Sequence, residues 1–333
     1  MTNKNLPPKK VSPAKQKKYD YLVTGEEMLL QPITQLPCLW EPYFPQQGLI
    51  LLSGASDVGK TSFLRQFAIA NVLKENSFLG SPLHVRHGRA LYLTTEDSKI
   101  SMQFALQKSI DTARVKPSQL QELCYLINPA NPYSAIEEQL KVAKTDLIIV
   151  DSFADVFRGN LNDNTAVRTF LDKYQRLSEK YDTLFIFLHH TGKRTENGNA
   201  SKNNVIGSQG IEAKMRLVME MKKPDNSNRR DLYFTKGNYL PESLKSQAMQ
   251  LNFDSKQQFQ LIGSSPVSNS NSSSRFFSKE EKDKIMKIAE PLKKQDISFD
   301  NIRTELSKMG LPKVPSKGKL VEWFSDSDLS QSA

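Results

Sequence analysis

From about residue 20 to 263 the chain alternates short apolar runs with amphipathic stretches. Leu49–Ser53, Ala90–Thr95, Leu123–Ile127, Leu147–Asp151 and Leu184–Leu188 are unbroken enough to predict strands buried on both faces. Residues 60–74, 98–113, 133–144 and 165–180 lie between or beside them with helical spacing. Strand alternating with helix predicts parallel βαβ units, and so an α/β fold with a mostly parallel sheet. After about 215 the pattern changes to alternation by two, in Arg216–Met221, Asp231–Lys236, Ala248–Phe253 and Gln257–Ile262, which predicts an antiparallel extension of that sheet.

The ends read differently. Residues 1–19, with Pro7, Pro8 and Pro13, are expected to form a disordered basic arm, and residues 264–274, SSPVSNSNSSS, a flexible linker. Beyond it, Ser278–Glu290, Ser298–Met309 and Ser316–Phe324 predict three short helices, with Ser278 and Ser298 as N-caps. The expected organisation is an arm (1–19), an α/β domain (20–263), the linker and a small helical, winged-helix-like C-terminal module (275–333).

Composition narrows the function classes. The 333 residues, 38% of them hydrophobic, are enough for a substantial core, and two cysteines, Cys38 and Cys124, cannot build a disulfide framework or a four-cysteine metal site. No apolar run approaches the roughly 20 residues that span a bilayer, and lysines and prolines stand where a signal peptide would be apolar, so a cytoplasmic protein without a membrane partner is expected. The formal charge of +10 points toward nucleic acid, but residues 1–19 hold six lysines and no acid. Any nucleic-acid contact in the rest of the chain must therefore rest on local placement of charge.

The densest chemical signal is Gly54-Ala55-Ser56-Asp57-Val58-Gly59-Lys60-Thr61, which matches G-x-x-x-x-G-K-[ST] between a predicted strand and a predicted helix. Two glycines let the backbone wrap so that its N–H groups and the positive helix end meet β-phosphate oxygens. Lys60 would neutralise charge between the β- and γ-phosphates, the Thr61 hydroxyl would ligate Mg²⁺, and Ser62 either adds a first-turn contact or is a plain polar residue. An acid at 57 would repel phosphates unless it points outward.

Leu147-Ile148-Ile149-Val150-Asp151 is the Walker B pattern, in which a buried strand delivers a carboxylate to the Mg²⁺ shell; the plainer role for Asp151 is to cap the next segment. Ala90-Leu91-Tyr92-Leu93-Thr94-Thr95-Glu96-Asp97 ends an earlier strand in two acids. Should that strand neighbour the phosphate-loop strand, Glu96 would reach a water beside the γ-phosphate as general base, with Asp97 as fallback; otherwise both acids merely favour the start of the next helix.

Taken in order, GASDVGKTS, LYLTTED, LIIVDS, LFIFLHHTGK and VIGSQGIEAKMRLVMEM resemble the RecA-like P-loop ATPases, and within them the hexameric replicative helicases of the plasmid RepA type, over about residues 25–263. The resemblance implies ATP and Mg²⁺ as ligands, Glu96 as catalytic base and Asp151 as Walker B acid. It implies that His189 or His190 senses the γ-phosphate, and that Arg216 is the arginine finger for a neighbouring subunit's ATP, with Lys236 a second candidate. It also implies that the loops after the fourth and fifth core strands line a DNA channel. These are about 152–165, with Phe153, Phe157 and Arg158, and 191–206, with Lys193, Arg194 and Lys202. Basic groups there suit phosphate contacts without sequence readout, and the aromatics could stack bases.

The expected function is a ring-forming ATPase, a hexamer, that moves on single-stranded DNA as a replicative helicase for a plasmid or mobile element, with a replication initiator or primase as possible partner. The alternatives are a DNA-binding ATPase that assembles on DNA as a regulator or recombination mediator without unwinding it, and a small-molecule phosphotransferase.

Overall fold

The computed structural model describes residues 22–30, 32–191, 200–201, 208–267, 279–309, 314–315 and 317–330. The elements in chain order are α1 (Gly25–Leu30), β1 (Cys38–Trp40), β2 (Phe44–Pro45), β3 (Gly48–Gly54), α2 (Lys60–Val72), β4 (Ser77–Phe78), β5 (Ser81–Pro82), β6 (Ala90–Thr94), α3 (Lys99–Ser109) and β7 (Leu123–Ile127). There follow α4 (Pro132–Val142), β8 (Leu147–Asp151), α5 (Phe153–Val156), α6 (Asn164–Tyr181), β9 (Leu184–His190), α7 (Ser208–Lys214), β10 (Leu217–Lys222) and β11 (Arg229–Gly237). The domain closes with α8 (Glu242–Lys245), β12 (Gln247–Phe253) and β13 (Phe259–Pro266), and the C-terminal segment holds α9 (Lys279–Lys294), α10 (Phe299–Lys308) and α11 (Lys317–Ser330).

Nine strands form one sheet in the order β13-β12-β11-β10-β3-β9-β8-β6-β7. The pairs from β10 through β7 are parallel, and those from β10 through β13 antiparallel. Period-two alternation of the buried strands divides the core between two faces. Ile50 and Leu52 of β3 pack with Phe63 and Phe67 of α2 on one face, while Leu49 and Leu51 pack with Leu171 and Tyr174 of α6 on the other. Each such fully buried side chain contributes about 1.5–3 kcal/mol of transfer free energy.

Two expectations about the sheet change. Leu217–Lys222 does not begin an antiparallel edge: it is buried along all but its last residue and pairs parallel with β3, which makes it a central strand joining the two halves. The strand that ends before Glu96 does not neighbour the phosphate-loop strand either, because β9 and β8 stand between β6 and β3. The last strand also runs through Pro266, into the stretch read as linker.

The antiparallel extension wraps back onto the phosphate-loop helix. Gln66 of α2 brackets Phe259 with two bonds, Nε2 donating to its carbonyl at 3.0 Å and Oε1 accepting its N–H at 2.7 Å. In the C-terminal segment, α9–α11 close around Ile285, Ala289, Ile302, Leu306, Leu320 and Trp323. Ser298 caps α10 by accepting the Asn301 N–H, as its sequence position predicts. Its described residues contain three helices and no strand, so the winged half of the expectation is not met there. Residues 1–19 and Ser278 lie outside the described residues, and among those described no helix is long and apolar enough to cross a membrane.

Gly59 marks how tightly loop and extension fit. Its φ is +102°, and a Cβ there would stand 2.8 Å from Phe259 Cζ. Gly59→Ala should therefore destabilise the domain by about 2–4 kcal/mol, from left-handed strain plus overpacking. Urea denaturation measures this, and a loss below about 0.5 kcal/mol would contradict the packing.

Candidate functional site: a phosphate loop at the sheet edge

The phosphate loop is held open by its own geometry and by a residue far along the chain. A Cβ on Gly54 would stand 2.5 Å from the Met221 carbonyl, so the turn out of β3 needs glycine. Arg230 of β11 donates from Nε to the Val58 carbonyl at 2.9 Å, fixing the loop crest from behind. Ser56 and Asp57 are exposed at the tip, Asp57 with φ +59°, while Val58 is buried. The first turn of α2 starts at Lys60 with no side-chain cap, which leaves its N–H groups directed at the loop as an anion site.

Lys60 is buried and donates from Nζ to the Gly54 and Ala55 carbonyls at 3.0 and 2.6 Å. Burial pulls its ammonium down to about 8, against the opposing pull of Asp151, Glu96 and Asp57. Asp151, at the end of β8, accepts two hydroxyls on the same oxygen: Thr61 at 3.0 Å and Tyr92 at 2.8 Å to Oδ2. Burial pushes the Asp151 carboxyl up, and those two hydrogen bonds oppose the shift. Both donors meet Oδ2, leaving Oδ1 available to a metal shell.

Glu96 reaches this site from the loop after β6. Burial and then the charge of Asp151 push its carboxyl above the ordinary range, with a Ser152 hydrogen bond in opposition. A raised carboxylate suits a proton acceptor. His190 Nε2 lies 4.0 Å from Glu96 Oε1. A cavity of about 360 Å³ brings Lys60, Thr61, Glu96, Asp151 and His190 together, with Ser62 along one wall.

Strand alternation separates the two histidines. His190 faces the cavity, whereas His189 is buried and meets the Phe153 ring edge-on at 5.6 Å, outside the lining. Arg216 is also not brought to this cavity. Its N–H bonds the Leu49 carbonyl, about 16 Å along β3 from the loop, and its side chain lines a second cavity of about 340 Å³ with Gly48, Glu179 and Asp182. Lys236 donates to the Glu212 carbonyl at 2.5 Å and likewise stands apart from the phosphate loop. Arg158 is exposed after α5, but Phe153 and Phe157 are not base platforms: both are buried, stacked at 5.9 Å and enclosed by Phe170. Apolar packing beneath α6 claimed them. Lys193, Arg194 and Lys202 lie outside the described residues.

Three contributors carried no sequence signal. Tyr92 sits in a run that reads as plain buried strand, and Arg230 and Gln257 come from the extension to the loop and the cavity wall. Among the described residues no group of three or more His, Cys, Asp or Glu is placed to hold a metal by itself. The Thr61 hydroxyl and the Asp151 carboxylate instead fit a Mg²⁺ ion that takes its remaining ligands from phosphates and water. Such an ion would neutralise charge on the phosphates.

Fold and site together define a RecA-like P-loop ATPase. The model of the AAA domain family matches residues 14–196, more than half of the chain, and the protein belongs to that family. Among solved structures, the ATPase domain of a helicase matches with a TM-score of 0.51 at 11% identity, over 66% of this chain and 86% of that one, a likeness of fold. No curated protein matches the chain.

Glu96→Gln should keep nucleotide affinity and lower the hydrolysis rate about 10²–10⁴-fold, because only the proton acceptor is removed. Nucleotide titration alongside single-turnover hydrolysis separates the two effects. An equal loss of binding would place Glu96 in the metal shell instead.

Proposed function

We propose that the protein is a ring-forming motor that hydrolyses Mg·ATP between subunits and moves on single-stranded DNA as a replicative helicase. The observation that carries this reading is the incompleteness of the cavity. Among its described lining residues Lys60 is the only lysine and there is no arginine, although charge developing on a γ-phosphate calls for a second cation. Arg216 stands beside the opposite end of β3, too far to serve its own subunit, as a finger acting on a neighbour requires.

Within this reading Lys60 binds the phosphates, Thr61 and Asp151 orient the metal, and Glu96 takes the proton of the attacking water. His190, 4.0 Å from Glu96, is the sensor. Arg158, Lys193, Arg194 and Lys202 contact the DNA backbone, and the basic arm adds six lysines to the charge available for it. A hexamer, a cytoplasmic setting, a plasmid or mobile-element host and an initiator or primase partner belong to this proposal through the resemblance to RepA-type helicases.

Mixing variants tests the shared site. Arg216→Ala protomers retain the phosphate loop and Lys60→Ala protomers retain the finger, so each alone should be inactive. An equimolar mixture should recover about a quarter of the wild-type ATPase rate, since one interface type in four unites both intact halves. A mixture that co-assembles without recovering activity would exclude Arg216 as the finger.

A further inference from the structure

The cavity has two chemically different ends. At one, Glu96, Asp151 and His190 cluster beside Lys60 on the strand ends. At the other, Phe253 and Gln257 enter from the β12–β13 connection. A triphosphate whose γ end meets Glu96 directs its nucleoside away from the acids. Phe253 stands on that side: its Cζ is 3.6 Å from where a Gly59 Cβ would be, and its ring stacks on Phe259 at 4.6 Å.

Gln257 is held in a defined pose. Its φ is +62°, and the turn around it is tied by Asp254 Oδ1, which accepts the Lys256 and Gln258 N–H groups at 2.9 Å each. Arg65 of α2, itself buried, donates from Nη1 to the Ala105 carbonyl and Ser109 Oγ at 3.0 Å and to Gln257 Oε1 at 3.3 Å. A guanidinium only donates, so this bond fixes the amide orientation: oxygen toward Arg65, and the two Nε2 hydrogens turned from it.

We propose that Phe253 and Gln257 form the nucleoside-binding end of this site, with Arg65 as the positioning residue that presents the Gln257 amide donor to an acceptor on the base or ribose. The inference rests on the phosphate-loop reading above and adds the part of the ligand the loop does not recognise. Phe253 supplies an apolar edge for the base, and the amide supplies one neutral hydrogen bond. Because the amide oxygen is engaged by Arg65, recognition runs through ring nitrogens, a carbonyl or a sugar oxygen, not through an exocyclic amine.

The test compares binding of ATP with that of inorganic tripolyphosphate, which carries the phosphates without the nucleoside, by calorimetry in the presence of Mg²⁺. Gln257→Ala should weaken ATP about threefold to tenfold and leave tripolyphosphate unchanged. Gln257→Glu, which still accepts from Arg65 but offers no donor, should weaken ATP as much. Arg65→Lys should weaken ATP and spare tripolyphosphate in the same way, whereas loss of a purely structural contact would affect both ligands. Loss of the Gln257→Ala effect with 2′-deoxy-ATP assigns the contact to the ribose and its persistence assigns it to the rest of the nucleoside; either upholds the proposal. ATP affinity unchanged in both Gln257 variants, or equal losses for both ligands, overturns it. Lys60→Ala separates the two levels: it should weaken both ligands, and unchanged tripolyphosphate binding there would overturn the phosphate-loop reading itself.

Discussion

A carboxylate buried at the end of β8 organises this molecule. Taking Asp151 out of water costs several kcal/mol unless its oxygens are bonded, and the two hydroxyls that meet Oδ2 come from different elements. Thr61 lies in the first turn of α2, and Tyr92 in β6. Satisfying one acid thereby locks the phosphate-loop helix to two strands across the sheet. This explains how Glu96 reaches the cavity although its strand is separated from the phosphate-loop strand by two others. The site is set before any ligand arrives, so binding energy need not be used to assemble it.

The antiparallel extension completes the same constraint from the other side. Arg230 holds the loop crest, Phe253 and Phe259 press against Gly59, and Gln66 binds Phe259 through its backbone. A phosphate loop free to collapse would expose Lys60, whose buried ammonium is caged by the Gly54 and Ala55 carbonyls. The extension thus keeps a charged group in a low-dielectric place where it interacts strongly with phosphate.

Much of this was legible in the sequence, and the remainder follows a pattern. Leu147–Asp151 and Leu123–Ile127 coincide with strands residue for residue, because apolar runs ending in a turn signal or an acid are unambiguous. The phosphate loop was legible because its chemistry is local. Sheet order was not: the separation of β6 from β3 and the parallel pairing of β10 depend on long-range register, which alternation along one strand does not encode. The choice between His189 and His190 is of the same kind, since a one-residue step decides which face receives the side chain. Phe153 and Phe157 read as exposed aromatics on a loop, yet a helix packed above them buries both. Gln257 meets Arg65 across 192 residues of chain, and no spacing rule connects them.

The central claim is that an ATPase site assembled within one chain is completed by a neighbour and coupled to DNA. It is tested most directly by ATP hydrolysis with and without single-stranded DNA, on protein sized in the presence of ATP. The account predicts a ring-sized species whose hydrolysis rises with DNA at low salt and loses that stimulation as salt screens the phosphate contacts. A monomer that turns over ATP at one rate regardless of DNA would contradict it.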